Sequence, residues 1–179
     1  MRQLRNYSGI NAFIILYYGS LLFIAERLIA YSYWLVKLIV NGKLPSEPFF
    51  SKVIANSTLA HIDHWVYLVF GVLYIFFYLF IAIGLVKLSE SINLLQHEEI
   101  FTSKIGSSFR NAAKLFLVYV FGTFAVDVIL LFVLWTSQPV LSLIGTETIV
   151  FTLFAYLMYF LADIFEEGAF IKEENELTI

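Results

Sequence analysis

Long apolar runs separated by short polar stretches dominate the pattern of this chain. The clearest run is residues 65–86, WVYLVFGVLYIFFYLFIAIGLV, 22 residues without a charge. That matches the roughly 20 apolar residues a helix needs to cross a bilayer. Three others are less pure: residues 10–40 contain Glu26 and Arg27, residues 111–135 contain Asp127, and residues 148–165 follow a turn with Pro139 and Gly145. The pattern predicts an all-α integral membrane protein, a single membrane domain over residues 1–179 with four transmembrane helices at about 11–35, 65–86, 113–135 and 148–165. Residues 41–64 form a loop marked by Gly42, Pro45 and Pro48. The first run is not read as a cleaved signal peptide, because it is long, carries charges inside and lacks a small-residue cleavage site.

Two polar segments keep a helical apolar spacing, which predicts short amphipathic helices after the second and fourth spans. In the loop over residues 87–112, Leu88, Ile92 and Leu95 lie at i, i+4 and i+7. Phe101-Thr102-Ser103 then offers a cap, and Ile105, Phe109 and Ala113 resume a four-residue spacing. Lys104 and Arg110 are expected to meet lipid phosphates or, if the two segments pack together, the acids of the tail. In that tail, residues 166–179, Leu161, Phe165, Gly168 and Ile171 continue one helical face, and Leu177, Thr178 and Ile179 read as extended. A shift of 76 residues lays the second span on the fourth and Glu90 on Glu166, the pattern of a parallel duplication.

Composition agrees with the membrane reading. The chain is 60% hydrophobic and 14% charged, with a mean hydropathy of +0.84. Soluble domains carry about 25% charged residues. A net charge of −3 argues against direct nucleic-acid binding, which needs a basic stripe. The absence of cysteine removes disulfides, thiolate metal sites and a cysteine nucleophile. No nucleophile elbow, zinc-protease helix, P-loop or dinucleotide turn is present, so neither an enzyme nor a cofactor is expected. His61, Asp63 and His64 offer metal-ligand types, but three ligands within four residues cannot easily wrap one ion, and no metal is expected. Asn56-Ser57-Thr58 fits the glycosylation pattern, which is common by chance.

Basic residues set the expected topology. With the N-terminus in the cytoplasm, Arg2, Arg5, Lys87, Lys104, Arg110, Lys114 and Lys172 lie inside, against Lys37, Lys43 and Lys52 outside. Trp34, Trp65 and Trp135 would then all mark the outer interface. Both termini are expected in the cytoplasm.

Ionisable residues within apolar runs come next. An ionised side chain at a helix centre costs on the order of 2.5–3.5 kcal/mol on insertion scales, so such groups turn inward and pair. Counted from the cytoplasmic ends, Arg27 and Asp127 lie at similar depth, which predicts an Arg27–Asp127 ion pair, with Glu26 nearer the outer surface and Glu147 starting the fourth helix. The pair reads as a structural clasp or, alternatively, as the centre of a small transporter or ligand-binding module.

Two stretches carry a family resemblance: Glu99-Ile100-Phe101-Thr102 with Phe109-Arg110-Asn111-Ala112-Ala113, and Asp163-Ile164-Phe165-Glu166-Glu167-Gly168-Ala169 with the close Glu173-Glu174-Asn175-Glu176-Leu177-Thr178-Ile179. The chain resembles the bacterial four-span membrane family known as domain of unknown function 2975. The resemblance implies a bacterial cytoplasmic (inner) membrane setting and a small helix-turn-helix regulator as neighbour. It implies no established activity. Phe101, Arg110, Glu166, Glu167, Glu173, Glu174, Leu177 and Ile179 then become the candidate docking residues for such a basic partner, held at the membrane by complementary charge. An accessory subunit of a membrane complex is the remaining alternative.

Overall fold

The computed structural model describes residues 8–42, 63–96, 102–134 and 139–177. Four long helices, all apolar and long enough to span a membrane, account for almost all of them: α1 (Ser8–Asn41), α2 (His64–Gln96), α3 (Ser103–Val133) and α4 (Thr146–Leu177). A 3₁₀ turn, Val140–Leu143, precedes α4. This is a multi-pass membrane protein built wholly from helices among its described residues.

Each helix packs antiparallel on its neighbour in sequence. Leu35 of α1 lies over Gly71 of α2, and His64 Nε2 meets the Gly42 carbonyl at 2.8 Å, closing the α1–α2 hairpin. Tyr78 of α2 meets Tyr119 of α3, and Phe116 of α3 meets Phe154 of α4. The bundle thus has a tail end, where α1 begins, α2 ends, α3 begins and α4 ends, and an opposite loop end.

The core follows one seam. On α2, Tyr67, Phe70, Tyr74, Tyr78, Ile81, Leu85, Leu88 and Ile92 are all buried. Their spacing of three and four residues is the helical repeat that faces a neighbour along its whole length. On α3 the same alternation buries Ile105, Phe109, Ala112, Ala113 and Phe116. The lipid-facing side is equally regular, with Val69, Val72, Phe76, Leu79, Ile83 and Val86 exposed on α2.

The helices are longer than the apolar runs that predict them. α1 continues to Asn41, beyond the expected end at 35, because Leu38 still packs into the core at the level of the hairpin. The amphipathic segments are not separate surface helices. Leu88 and Ile92 belong to α2, and Ile105 and Phe109 to α3, so the spans run on without a break into a layer beyond the apolar zone. Thr102 stands at the N-cap of α3 in extended conformation, but its side chain makes no capping bond. The tail expected to end extended is instead α-helical as far as Leu177, and Thr178 and Ile179 lie outside the described residues.

The tryptophans do not share one level. Trp65 stands at the first turn of α2, whereas Trp34 lies beside Leu35 and therefore near Gly71, some two turns deeper. Trp34 is covered by Lys37, whose ammonium sits 4.7 Å from its ring centroid. Trp135 lies outside the described residues.

Candidate functional site

Two groups of polar side chains stand out, one inside the span and one at the tail end. The inner group gathers where α1, α2, α3 and the start of α4 converge. Arg27 donates through Nη2 to Glu147 Oε1 at 3.2 Å, and its Nε lies 3.6 Å from Glu26 Oε2. Its guanidinium sits 5.2 Å from the Phe23 ring. One turn along α1, Tyr31 contacts the rings of Tyr74 and Tyr78, and Tyr78 contacts Tyr119. The Tyr74 hydroxyl donates to the Asp127 carboxylate.

The expected Arg27–Asp127 pair is therefore replaced by two partnerships. Asp127 is 5% exposed and points from α3 into α2, where Tyr74 receives it. Arg27, one turn from Tyr31 on the same stripe of α1, reaches Glu147 of α4 instead. The reason is the position of α4, which begins at Thr146, level with Arg27 and some 14 residues, or about 21 Å, below the far end of α1. Glu147 thus enters the span in the first turn of a helix, where the backbone dipole favours a carboxylate. Counting depth along the sequence places Glu147 at the outer surface and cannot anticipate this re-entry. Sequence reasoning also passed over the tyrosines, although Tyr74 and Tyr78, four apart in an uncharged span, present two hydroxyls on one face.

Below this centre α1 and α4 diverge. They leave a groove of about 660 Å³ lined by Ile15, Gly19 and Phe23 of α1 and Val150, Phe154 and Leu157 of α4, with Glu147 at its upper end.

The tail-end group is built on α3 and α4. Arg110 Nη2 donates to Asp163 Oδ1 at 2.9 Å and also to Glu166, while its Nε reaches the other Glu166 oxygen at 3.1 Å. This bidentate fork fixes geometry as well as charge. Phe109 and Phe165 stack beneath it with ring centroids 5.6 Å apart and planes 7° from parallel. Gly106 completes the clasp: a Cβ there would stand 3.0 Å from the Ala162 carbonyl and collide with the Glu166 side chain. Of the two bases expected to meet lipid or tail, Arg110 meets the tail, and Lys104 stays exposed.

Beyond the clasp α4 continues to Leu177. Glu167, Glu173, Glu174 and Glu176 are exposed, as are Phe170, Ile171 and Leu177, with Lys172 set 3.9 Å from Glu176. Phe101 and Ile179 lie outside the described residues, as does His61. His64 is engaged with Gly42, and no cluster of three metal-ligating side chains occurs among the described residues.

A family model described as "Protein of unknown function (DUF2975)" matches residues 29–179. No curated protein and no solved structure matches the chain.

Proposed function

The chain belongs to this family of unknown function, and we propose that it serves as a membrane anchor that holds a small basic protein, a helix-turn-helix regulator, against the cytoplasmic face. The observation that carries this reading is the exposed end of α4. From Phe170 to Leu177 every residue of the helix is exposed, and this stretch combines acids with the apolar side chains Phe170, Ile171 and Leu177. Acids steer a basic partner, and exposed apolar groups supply the contact area that a charge pair at a wet surface does not. The clasp at Arg110 gives this end a fixed root, so it is presented rather than trailing. The basic residues at the tail end support placing that end in the cytoplasm, and the family resemblance supports a bacterial inner membrane and the partner class.

The test is recovery of cytosolic proteins from membranes carrying the full chain. Glu167, Glu173 and Glu176 changed together to Gln leave Asp163 and Glu166 in the clasp, so the fold is kept. Recovery of a small basic DNA-binding protein should fall at least tenfold. Undiminished recovery would remove the reading.

A second reading rests on the inner group. A helix that begins within the span, with an acid in its first turn facing an arginine, is the arrangement from which membrane proteins build ion and substrate sites. On this reading Arg27, Glu147 and Asp127 form the centre of a small transporter. In proteoliposomes loaded with a pH-reporting dye, proton flux should then be present and abolished by Glu147→Gln. Flux through the unsubstituted protein no greater than in empty vesicles, or undiminished in the variant, rejects it.

A further inference from the structure

The groove between α1 and α4 ends at a group of charges that do not balance. Glu26, Arg27 and Glu147 carry two formal negative charges against one positive. Glu147 is answered twice, by the Arg27 guanidinium at 3.2 Å and by the first helical turn in which it stands. Glu26 is held less well. Its ion-pair contact among the described residues is 3.6 Å to Arg27 Nε, without a hydrogen bond, and 63% of its side chain is exposed. It stands three residues after Phe23 and seven after Gly19, so it continues the α1 stripe that lines the groove.

We propose that this groove binds one lipophilic cation, an apolar body of aromatic or alkyl groups carrying an ammonium or phosphonium charge. Its volume of about 660 Å³ lies within the roughly 300–1,000 Å³ of small-molecule sites. Phe23, Phe151 and Phe154 give its wall three aromatic rings, the first two 5.9 Å apart across the two helices. Ring faces and a carboxylate together are a means by which proteins hold organic cations away from water. Ile15 and Leu153 on its rims are exposed, so the ligand enters from the lipid. Gly19 leaves space for it, since a Cβ there would meet nothing within 4 Å.

Charge and depth together argue against a bilayer lipid as the occupant. A phospholipid keeps its phosphate at the membrane surface, whereas the acids stand about 21 Å below the end of α1. A phosphate drawn down to that level would meet two carboxylates for one guanidinium. A cation brings the one charge that the group lacks. The proposal uses the inner group of the transporter reading but rests on the groove, and binding at equilibrium, without a gradient, is independent of flux.

The full chain in phosphatidylcholine nanodiscs, with empty nanodiscs subtracted, should bind tetraphenylphosphonium saturably at one site per chain. Tetraphenylborate, an anion of the same shape, should show no saturable binding. Gly19→Leu fills the groove from a position with no neighbour to displace, and should weaken cation binding at least tenfold. Glu26→Gln keeps the shape and removes the charge, and should weaken it at least fivefold. Unchanged thermal unfolding in detergent shows that each variant is folded. Cation binding that does not saturate, that tetraphenylborate matches, or that either substitution leaves unchanged overturns the proposal. So does a phospholipid, or a second copy of the chain, that stays bound at saturating cation and is lost from the Gly19→Leu variant.

Discussion

Arg27 and Asp127 are visible in the sequence as residues that must find partners, but the partners are set by geometry the sequence does not print. Glu147 reaches Arg27 because α4 starts within the bundle, and Tyr74 reaches Asp127 because both lie on the α2–α3 seam. Only the second could be anticipated, from the four-residue spacing of Tyr74 and Tyr78. Removing one member of the Arg27–Glu147 pair strands the other in an apolar setting, whereas removing both does not. Arg27→Leu and Glu147→Leu should therefore each destabilise the protein, and the double variant should recover part of the loss. The coupling is expected at about 0.6–1.7 kcal/mol, the range from the mean to the largest values found between membrane helices. Unfolding in mixed detergent micelles measures it, and additive single effects would refute the pairing.

Among the elements, α2 was the most legible. Its uncharged run fixes both its existence and its extent, and its apolar repeat simply continues through Leu88 and Ile92. The amphipathic segments were legible as helices but not as extensions of the spans, because a surface helix and a projecting one share the same spacing. What decides is the clasp, a contact between residues 56 positions apart. Arg110→Ala should free the root of the α4 projection while leaving the spans in place. Hydrogen exchange over residues 163–177 should accelerate several-fold, with residues 147–160 unchanged. Equal protection in both segments would show that the projection is held by something else.

At the scale of the whole molecule, the four long helices among the described residues, and the common end at which α1 begins and α4 ends, were legible from hydropathy alone. The alignment of tryptophans that seemed to mark one surface was not reliable, since Trp34 lies about two turns deeper than Trp65. The basic residues thus carry the orientation by themselves. Two single-cysteine variants, Gly42→Cys and Leu177→Cys, check it with a membrane-impermeant thiol reagent on intact cells. The first should label directly and the second only after permeabilisation, and the reverse order would invert the topology. The late start of α4 has a further consequence, for the lipid itself. At the loop end α1 and α2 rise about 21 Å past the level where α4 begins, counted from Arg27 to Asn41 and from Tyr78 to His64. On the α4 side the chain covers that height with a 3₁₀ turn in which Leu141 is exposed, not with helix. The protein therefore offers two unequal hydrophobic heights to one bilayer. Lipids beside α4 must thin, or the whole bundle must tilt, so membrane thickness becomes a variable to which this protein is mechanically coupled.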